Sequence, residues 1–120
     1  MTALDALLVA LGAAVGAPLR YLVNHLARER FGATPAAGTL VVNVIGSLVL
    51  GLLVGAGVTG APLALVGIGF CGALTTFSTL ALELWDAMAD DRRVEATVVV
   101  ALSLALGVGA AWAGWFLTSR

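Results

Sequence analysis

No charged residue occurs between Arg30 and Glu83. A helix needs about 20 apolar residues to cross the hydrocarbon core of a bilayer, so this charge-free run is too long for a single crossing. The turn-forming sequence Thr-Gly-Ala-Pro at residues 59–62 interrupts the run near its middle. We therefore expect two membrane helices here, over residues 37–57 and 62–88, joined by a short loop.

The composition places the whole chain in a membrane rather than in water. Of the 120 residues, 61% are hydrophobic and 11% are charged, whereas a soluble domain carries about 25% charged residues. The net charge of −1 and the absence of lysine argue against a nucleic-acid partner, which requires a basic surface. A single cysteine, Cys71, excludes an intrachain disulfide and a zinc site built on cysteines, and we interpret it as a small buried side chain.

Two further apolar segments flank the charge-free run, over residues 4–29 and 94–117. A Phe-Gly-Ala-Thr-Pro loop follows the first, and a charged Asp-Asp-Arg-Arg loop precedes the last. The predicted fold class is therefore all-α, a polytopic membrane protein with four transmembrane helices in one domain, residues 1–120. The lipid bilayer is an expected partner, and the expected location is the plasma membrane of a prokaryotic cell.

Small and polar residues recur every fourth position in three of the four predicted spans. Residues four apart lie on one ridge of a helix, and a ridge of small residues allows another backbone to approach closely. We expect these ridges to supply contact surfaces, including those on which a second subunit docks. The three ridges are Gly12, Gly16, Arg20 and Asn24; Asn43, Ser47, Gly51 and Gly55; and Ser103, Gly107, Ala111 and Trp115.

The third span contains the segment Gly-Phe-Cys-Gly-Ala-Leu-Thr-Thr-Phe-Ser-Thr at residues 69–79. Glycine loosens a helix and threonine is a middling helix former, and Ser and Thr hydroxyls can bond backbone carbonyls and bend the helix. We therefore predict that this helix is broken in mid-membrane, over residues 72–79. Backbone groups freed in hydrocarbon must be satisfied by protein, water or an ion, so the break should face a protein interior.

Several uncharged polar side chains fall at membrane depth. The Asn43 amide is either a contact between helices or a donor lining a pore. Phe77 is either ordinary packing or an aromatic edge presented to an anion, because the ring edge is positive. The hydroxyls of Ser78 and Thr79 either bond their own helix or form an oriented track, and Ser103 is a weaker candidate for the same lining. Donors without an acid among them favour an anion as the ligand.

Two charged residues need separate interpretation. Arg20 either reaches the membrane surface with its long side chain or serves as a structural or anion-attracting charge inside the bundle. Glu83 is either a solvated charge at a helix end or part of a vestibule. The sequence contains no nucleophile–base pair, phosphate-binding loop or metal-ligand spacing, so no catalytic residue is assigned and no enzyme is expected. Four helices enclose little interior, so a dimer is the economical way to shield Arg20, Asn43 and the break from lipid.

Three motifs follow one another along the chain: GxxxGAxxRY from Gly12, TxxxNxxGS from Thr39, and GFCGALTTFST from Gly69. In order and spacing they resemble the CrcB/Fluc family of fluoride channels, and the resemblance covers nearly the whole chain. It implies a four-helix subunit that pairs with a second, antiparallel subunit. It also implies passive export of cytoplasmic fluoride, which relieves fluoride toxicity, through two pores per dimer.

The resemblance assigns roles to individual positions. It implies a structural Na⁺ at the dimer centre, bound by backbone carbonyls at the positions of Gly72 and Thr75. It also implies that Asn43 is the pore asparagine and Phe77 the first pore phenylalanine. Family members commonly have a second phenylalanine three residues later, where this chain has Leu80. One step of the anion path is therefore weakened or missing.

Three alternatives remain at this stage. The family includes homodimers and also paired gene products of opposite orientation, and Leu80 favours the paired arrangement. A pore-incomplete, non-conducting subunit is a second alternative. Small multidrug-type, proton-coupled transporters resemble this chain in size, helix count and antiparallel pairing, but they need a membrane carboxylate in the first helix, where this chain has Arg20.

Overall fold

The computed structural model describes residues 2–32, 35–75 and 78–119, with the backbone alone at residues 31, 35, 36 and 78–80. Within these ranges the chain forms helices and no strand, which confirms the all-α prediction. The helices are α1 (Ala3–Phe31), α2 (Pro35–Gly55), α3 (Gly60–Leu74), α4 (Ser78–Ala89) and α5 (Arg93–Thr118).

The lengths of these helices fit a bilayer. Among the described residues, α1, α2 and α5 are long and apolar enough to cross a membrane, whereas α3 is a shorter apolar helix. The third predicted span is thus present as two half-helices, α3 and α4. The longest dimension of the molecule is 45 Å, close to the roughly 40–45 Å of a bilayer with its headgroups.

The helices associate mainly in two pairs, α2 with α5 and α1 with α3. In the α1–α3 pair, Gly12 lies against the backbone of Gly69 and Phe70, and Gly16 lies one turn further on against Leu74. A Cβ atom on Gly16 would come within 3.1 Å of the Leu74 nitrogen. The contacts advance in the same direction along both helices, so α1 and α3 run parallel.

The α2–α5 pair is parallel as well. Gly51 packs on Ala111, where an added Cβ would lie 2.9 Å from the Ala111 Cα, and Gly55 packs on Trp115. A glycine of α5 makes the reciprocal contact: Gly114 packs between the turns of α2. The predicted small-residue ridges of the second and fourth spans therefore face each other within one subunit. We had expected these ridges to form contacts with a second subunit, and contacts between two helices of the same subunit were not predicted.

The first half of the third span is wound more widely than an α-helix. Residues Leu63–Cys71 form a π-helix, in which each N–H bonds the carbonyl five residues earlier. Three more residues, Gly72–Leu74, return to α geometry before the helix ends. The break is therefore narrower than the predicted 72–79, because residues 72–74 and the backbone of residues 78 and 79 are helical.

Large apolar side chains cover the outside of the molecule. Leu104, Val108 and Trp112 on α5 are each more than 60% exposed, and the buried core of the described residues consists mostly of small side chains such as Ala64 and Ala96. A soluble protein would bury these large groups. The arrangement is that of a membrane protein, in which lipid or another subunit covers the apolar exterior.

The predicted charged loop connects α4 to α5, and its last residue, Arg93, is the first residue of α5. Arg92 pairs with Glu95 at 2.9 Å and with Asp90 at 3.3 Å, and Arg93 lies 3.8 Å from Asp91. The hydrogen bond and charge of Glu95 raise the pKa of Arg92. These exposed pairs fix the local path of the loop and contribute little to stability.

Candidate functional site

A groove with a volume of about 740 Å³ runs along one side of the molecule, between α2, α3 and α5. It brings together four residues predicted for the site: Asn43 from α2, Gly72 from the last turn of α3, Thr75 from the break, and Ser103 from α5. The remaining lining residues are Gly46, Ser47, Leu50, Gly67, Ile68, Cys71, Leu84, Val100, Leu104 and Gly107.

The break begins at Thr75, whose backbone is extended, with φ −80° and ψ 156°. Its N–H donates to the carbonyl of Cys71 at 3.0 Å, and its side-chain Oγ1 donates to the same oxygen at 2.9 Å. The Cys71 carbonyl is thus satisfied twice by one residue. A helix that ends leaves its last carbonyls without intrahelical donors, and Gly72 and Thr75, at the end of α3, both line the groove.

Two opposed helix ends flank the break. α3 ends at Leu74 and α4 begins at Ser78, so the partial negative charge of a C-terminus and the partial positive charge of an N-terminus lie a few residues apart. Half-helices of this kind form ion sites in membrane transporters. The prediction for Phe77 lies outside the described residues, and the side chains of Ser78, Thr79 and Leu80 lie outside them as well.

Two serines line the groove, Ser47 on α2 and Ser103 on α5. Ser103 Oγ is buried and has no hydrogen-bond partner in the described part of the chain. One turn along α5, a Cβ atom on Gly107 would meet only Ser47 Oγ within 4 Å, at 3.8 Å. Ser47 and Gly107 were predicted as ridge residues but not as site residues. Their i, i+4 spacing from Asn43 and Ser103 is the sequence feature that could have identified them.

Cys71 of α3 and Gly46 of α2 also line the groove. Cys71 is 2% exposed, which confirms its interpretation as a buried side chain. Gly46 packs on the Thr75 methyl group, since a Cβ atom at Gly46 would overlap it. The GxxxGAxxRY and TxxxNxxGS motifs therefore have a direct structural use: Gly16 and Gly46 allow the broken helix to approach α1 and α2.

Glu83 on α4 lies outside the groove lining. The fully buried Thr39 of α2 donates from Oγ1 to Glu83 Oε1 at 2.6 Å, and Glu83 Oε2 is buried without a described partner. Glu83 is thus half-buried and bonded to α2, and its role at the vestibule stays a prediction. The partner Thr39, 44 residues away in the sequence, was not predicted, because no local pattern connects the two positions.

Arg20 also lies outside the groove lining. It is half-buried on α1 and forms no ion pair with any described residue. Its ridge neighbours Gly12 and Gly16 face α3, and Asn24 packs against Gly38 at the start of α2. The ridge therefore faces protein over much of its length, as predicted, and the role of Arg20 stays a prediction.

Comparison of the sequence with known proteins identifies the family of this chain. Residues 7–115 match the family described as CrcB-like protein, Camphor Resistance (CrcB). The chain is 47% identical over 113 residues to the fluoride-specific ion channel FluC 2 of Rhodococcus jostii (strain RHA1), covering 94% of this chain and 97% of that protein.

Other relatives show the same extent of similarity. The fluoride-specific ion channel FluC 1 of Nocardia farcinica (strain IFM 10152) is 45% identical, over 93% of this chain and 79% of that protein. The fluoride-specific ion channel FluC of Vibrio parahaemolyticus serotype O3:K6 (strain RIMD 2210633) is 38% identical, over 93% of this chain and 92% of that protein. The resemblance to this family is confirmed, as is a multi-pass location in the membrane, which in bacteria is the plasma membrane. The chain therefore belongs to the CrcB family, whose members are membrane channels and not enzymes.

Proposed function

We propose that this chain is a subunit of a fluoride-selective ion channel that exports cytoplasmic fluoride passively and so relieves its toxicity. The single observation that carries this proposal is the chemistry of the groove. Asn43, Ser47, Thr75 and Ser103 line it, and among the described residues its lining contains no Asp or Glu. Neutral donors favour an anion, and a lining without a carboxylate lacks the group on which a proton relay through membrane acids depends.

The lining addresses the main cost of moving fluoride. Fluoride is small and strongly hydrated, so it crosses only if donors replace most of its water. Hydrogen bonds to a charged group are stronger than those between neutral groups. In the proposed mechanism the Asn43 amide and the Ser78 and Thr79 hydroxyls replace the hydration shell, and the positive ring edge of Phe77 faces the ion.

A second subunit completes the channel in this proposal. The groove of about 740 Å³ is far larger than one ion, and its wall is mostly apolar apart from the polar groups named above. The exterior of α5 beside it is highly exposed. An inverted, antiparallel copy would bring a second broken helix against the first and would give two equivalent pores.

The end of α3 fits the structural Na⁺ that the family implies. A hard cation prefers oxygen ligands, and Gly72 and Thr75, whose carbonyls would be its ligands, both line the groove. A Cβ atom on Gly72 would meet nothing within 4 Å, so this wall is accessible to a second subunit. One subunit provides only part of a coordination shell, and the symmetric partner would provide the rest. The ion would neutralise the paired helix ends.

The partner is either an identical chain or a related one. Leu80 stands where the family commonly has its second pore phenylalanine, and a leucine lacks the positive ring edge. This difference favours a paired channel in which the other subunit supplies the missing group. A non-conducting subunit is the limiting case of the same idea.

Fluoride efflux from liposomes tests the proposal. The purified chain is reconstituted alone, the vesicles are loaded with fluoride or chloride, and release is followed with ion-selective electrodes. Fluoride release without chloride release supports a homodimeric fluoride channel. Fluoride release only with a co-reconstituted related subunit supports the paired form. Flux that requires a proton gradient, or no fluoride flux in either form, contradicts the proposal.

A further inference from the structure

The two glycines of the GxxxG motif of α1 contact α3 at two different spacings. Gly12 lies against Leu65 and Phe70: a Cβ atom there would overlap the Leu65 carbonyl oxygen and lie 2.7 Å from the Phe70 nitrogen. Gly16 lies against Phe70 and Leu74: a Cβ atom there would overlap the Phe70 carbonyl oxygen and lie 3.1 Å from the Leu74 nitrogen. The first oxygen and nitrogen belong to residues five apart, and the second to residues four apart. Hydrogen bonds join these spacings in a π-helix and in an α-helix, respectively.

The segment that Gly12 contacts is wider than an α-helix. Residues Leu63–Cys71 form a π-helix, and α geometry returns at Gly72–Leu74, the turn that Gly16 contacts. A π-helix has about one residue more per turn than an α-helix, so its backbone extends further from the helix axis. Gly69 of the π-helix faces α1, where a Cβ atom on Gly69 would lie 3.1 Å from Gly12 Cα. Glycine at position 12 therefore allows α1 to contact the wider backbone.

The winding of this segment decides which way the break faces. Nine residues of π-helix complete roughly half a turn less than nine residues of α-helix. Gly72 and Thr75 follow the segment, and both line the groove. If Leu63–Cys71 were α-helical, these two residues would be rotated by about half a turn relative to the start of α3. π-helices are rare and occur mostly as single turns, so this longer one needs contacts that favour it over an α-helix.

We propose that Gly12 is a positioning residue: it holds Leu63–Cys71 in the π-helical winding, and that winding directs Gly72 and Thr75 towards the ion path. The inference rests on the proposed function, because it takes the groove as the ion path. Gly12 lies outside the groove lining, so it acts only through the backbone of α3.

A deletion of Leu65 and Val66 tests the link between the winding and the direction of the break. Seven α-helical residues complete about as many turns as nine π-helical residues. The shortened segment, wound as an α-helix, therefore directs the break as before, and fluoride efflux from liposomes should stay close to that of the unaltered protein. The control deletes Val98 and Val99 from α5, which is α-helical. That deletion rotates the two parts of α5 by roughly 200° relative to each other and should abolish efflux.

Gly12→Ala and its control Gly16→Ala test the role of Gly12. Each adds one methyl group to α1 against the backbone of α3, and both raise helix propensity equally. We expect each to lower fluoride efflux by roughly tenfold, because a packed backbone is crowded in both. Only the Gly12→Ala loss should be reversed by deletion of Leu65 and Val66. The narrower α-helix leaves room for a methyl group at position 12, whereas the turn against Gly16 is α-helical already.

Cys71 reports the winding without any ion flux. It is the last residue of the π-helix, is 2% exposed and is the only cysteine of the chain. Rewinding without a deletion rotates it out of its buried position. Gly12→Ala should therefore react faster with N-ethylmaleimide in detergent than the unaltered protein or Gly16→Ala, because thiol reactivity depends on access. Gly12→Ala combined with the deletion should be as unreactive as the unaltered protein.

The outcomes separate this inference from the function on which it rests. No fluoride efflux by the unaltered protein, alone or paired, contradicts the proposed function, and Cys71 labelling then still decides whether Gly12 holds the winding. The inference alone is overturned if the α3 deletion abolishes efflux as the α5 deletion does, or if it rescues Gly16→Ala as well as Gly12→Ala. It is also overturned if Cys71 stays unreactive in Gly12→Ala.

Discussion

The contact between α2 and α5 has two halves that are built from similar residues and differ in structure. In the packed half, Gly51 and Gly55 lie directly on the backbone of α5, near Ala111 and Trp115. In the open half, Asn43 and Ser47 of α2 and Ser103 and Gly107 of α5 line the groove, and a Cβ atom on Gly107 would lie 3.8 Å from Ser47 Oγ. Both halves belong to ridges with a four-residue repeat. The repeat therefore predicts which face of a helix is used, but it does not predict whether a glycine there serves contact or space.

Physical surroundings distinguish the two uses. A Cβ atom on Gly51 would overlap backbone atoms of Ala111, which cannot move cheaply, whereas a Cβ atom on Gly107 would rest at an ordinary distance from one hydroxyl. Polar atoms follow the same division: Ser103 Oγ in the open half lacks a described partner, while Thr118 beyond the packed half donates to two carbonyls. The packed half stabilises the subunit and the open half is available to a ligand.

The largest effect should follow from a charge in the open half. Asn43→Asp places a carboxylate on the groove wall. A charge about 4 Å from an anion costs about 4 kcal/mol at an effective dielectric constant of about 20, so fluoride efflux should fall by at least about a hundredfold. Liposome efflux measures this, with Ser119→Asp, at an exposed site after α5, as the control for net charge. Undiminished efflux with Asn43→Asp would refute a pore role for Asn43.

A methyl group in the packed half should destabilise the subunit. Gly51→Ala puts a Cβ atom 2.9 Å from the Ala111 Cα, and overpacking of this kind costs about 1–3 kcal/mol. Thermal or chemical unfolding in detergent measures the change, with Gly109→Ala as the unobstructed control on α5. If the two variants are equally stable, the packed half is looser than the structure indicates and the contrast between the halves fails.

The bond between α2 and α4 should have a smaller but measurable effect. Thr39→Val leaves both oxygens of Glu83 buried without a described donor, and an unpaired buried acceptor costs about 1–3 kcal/mol. Glu83→Gln keeps an acceptor for the Thr39 hydroxyl and should be the milder change. Unfolding in detergent compares the two variants. Equal stability of Thr39→Val and the unaltered protein would mean that this bond does not hold α4 against α2.

The smallest effect should come from the end of the packed half. Thr118 Oγ1 donates to Leu52 O on α2 and to Gly114 O on α5, each at 2.9 Å. The Leu52 carbonyl also accepts a hydrogen bond from Ala56 N, so it keeps a donor in Thr118→Val. The substitution should therefore lower the free energy of unfolding by only about 1 kcal/mol.

Thr97→Val is the matched control for that change, because Thr97 Oγ1 donates only within its own helix, to Arg93 O. The two valine variants are compared by unfolding in detergent. A Thr118→Val protein no less stable than Thr97→Val would show that the hydroxyl does not link α5 to α2.

The sequence was sufficient for the features that depend on local chemistry. The uncharged run, the turn at residues 59–62 and the glycine and threonine content of residues 69–79 predicted the helices and the position of the break. The four-residue spacing also predicted that Asn43 lies on the small-residue face of its helix and Ser103 on that of its own, although not that the two faces meet at the groove. These properties follow from hydrophobicity, helix period and helix propensity, which the residues carry themselves.

The features that the sequence did not predict depend on contacts between residues that are distant in the chain. The contact of Thr39 with Glu83 joins positions 44 residues apart, and only the packing of α4 on α2 creates it. The amino-acid composition of the π-helix at Leu63–Cys71 does not distinguish it from an ordinary apolar α-helix. The free space at Gly107 depends on the distance between α2 and α5 at that level, which no pattern within either helix encodes.

The double acceptance at the Cys71 carbonyl has a consequence for assembly. Both donors come from Thr75, so the end of α3 is closed by atoms of a single residue and needs no help from another polypeptide. Each newly inserted copy would already have its interrupted helix before it meets a neighbour. Dimerisation would then join two finished surfaces, and slow refolding within the bilayer would not be required.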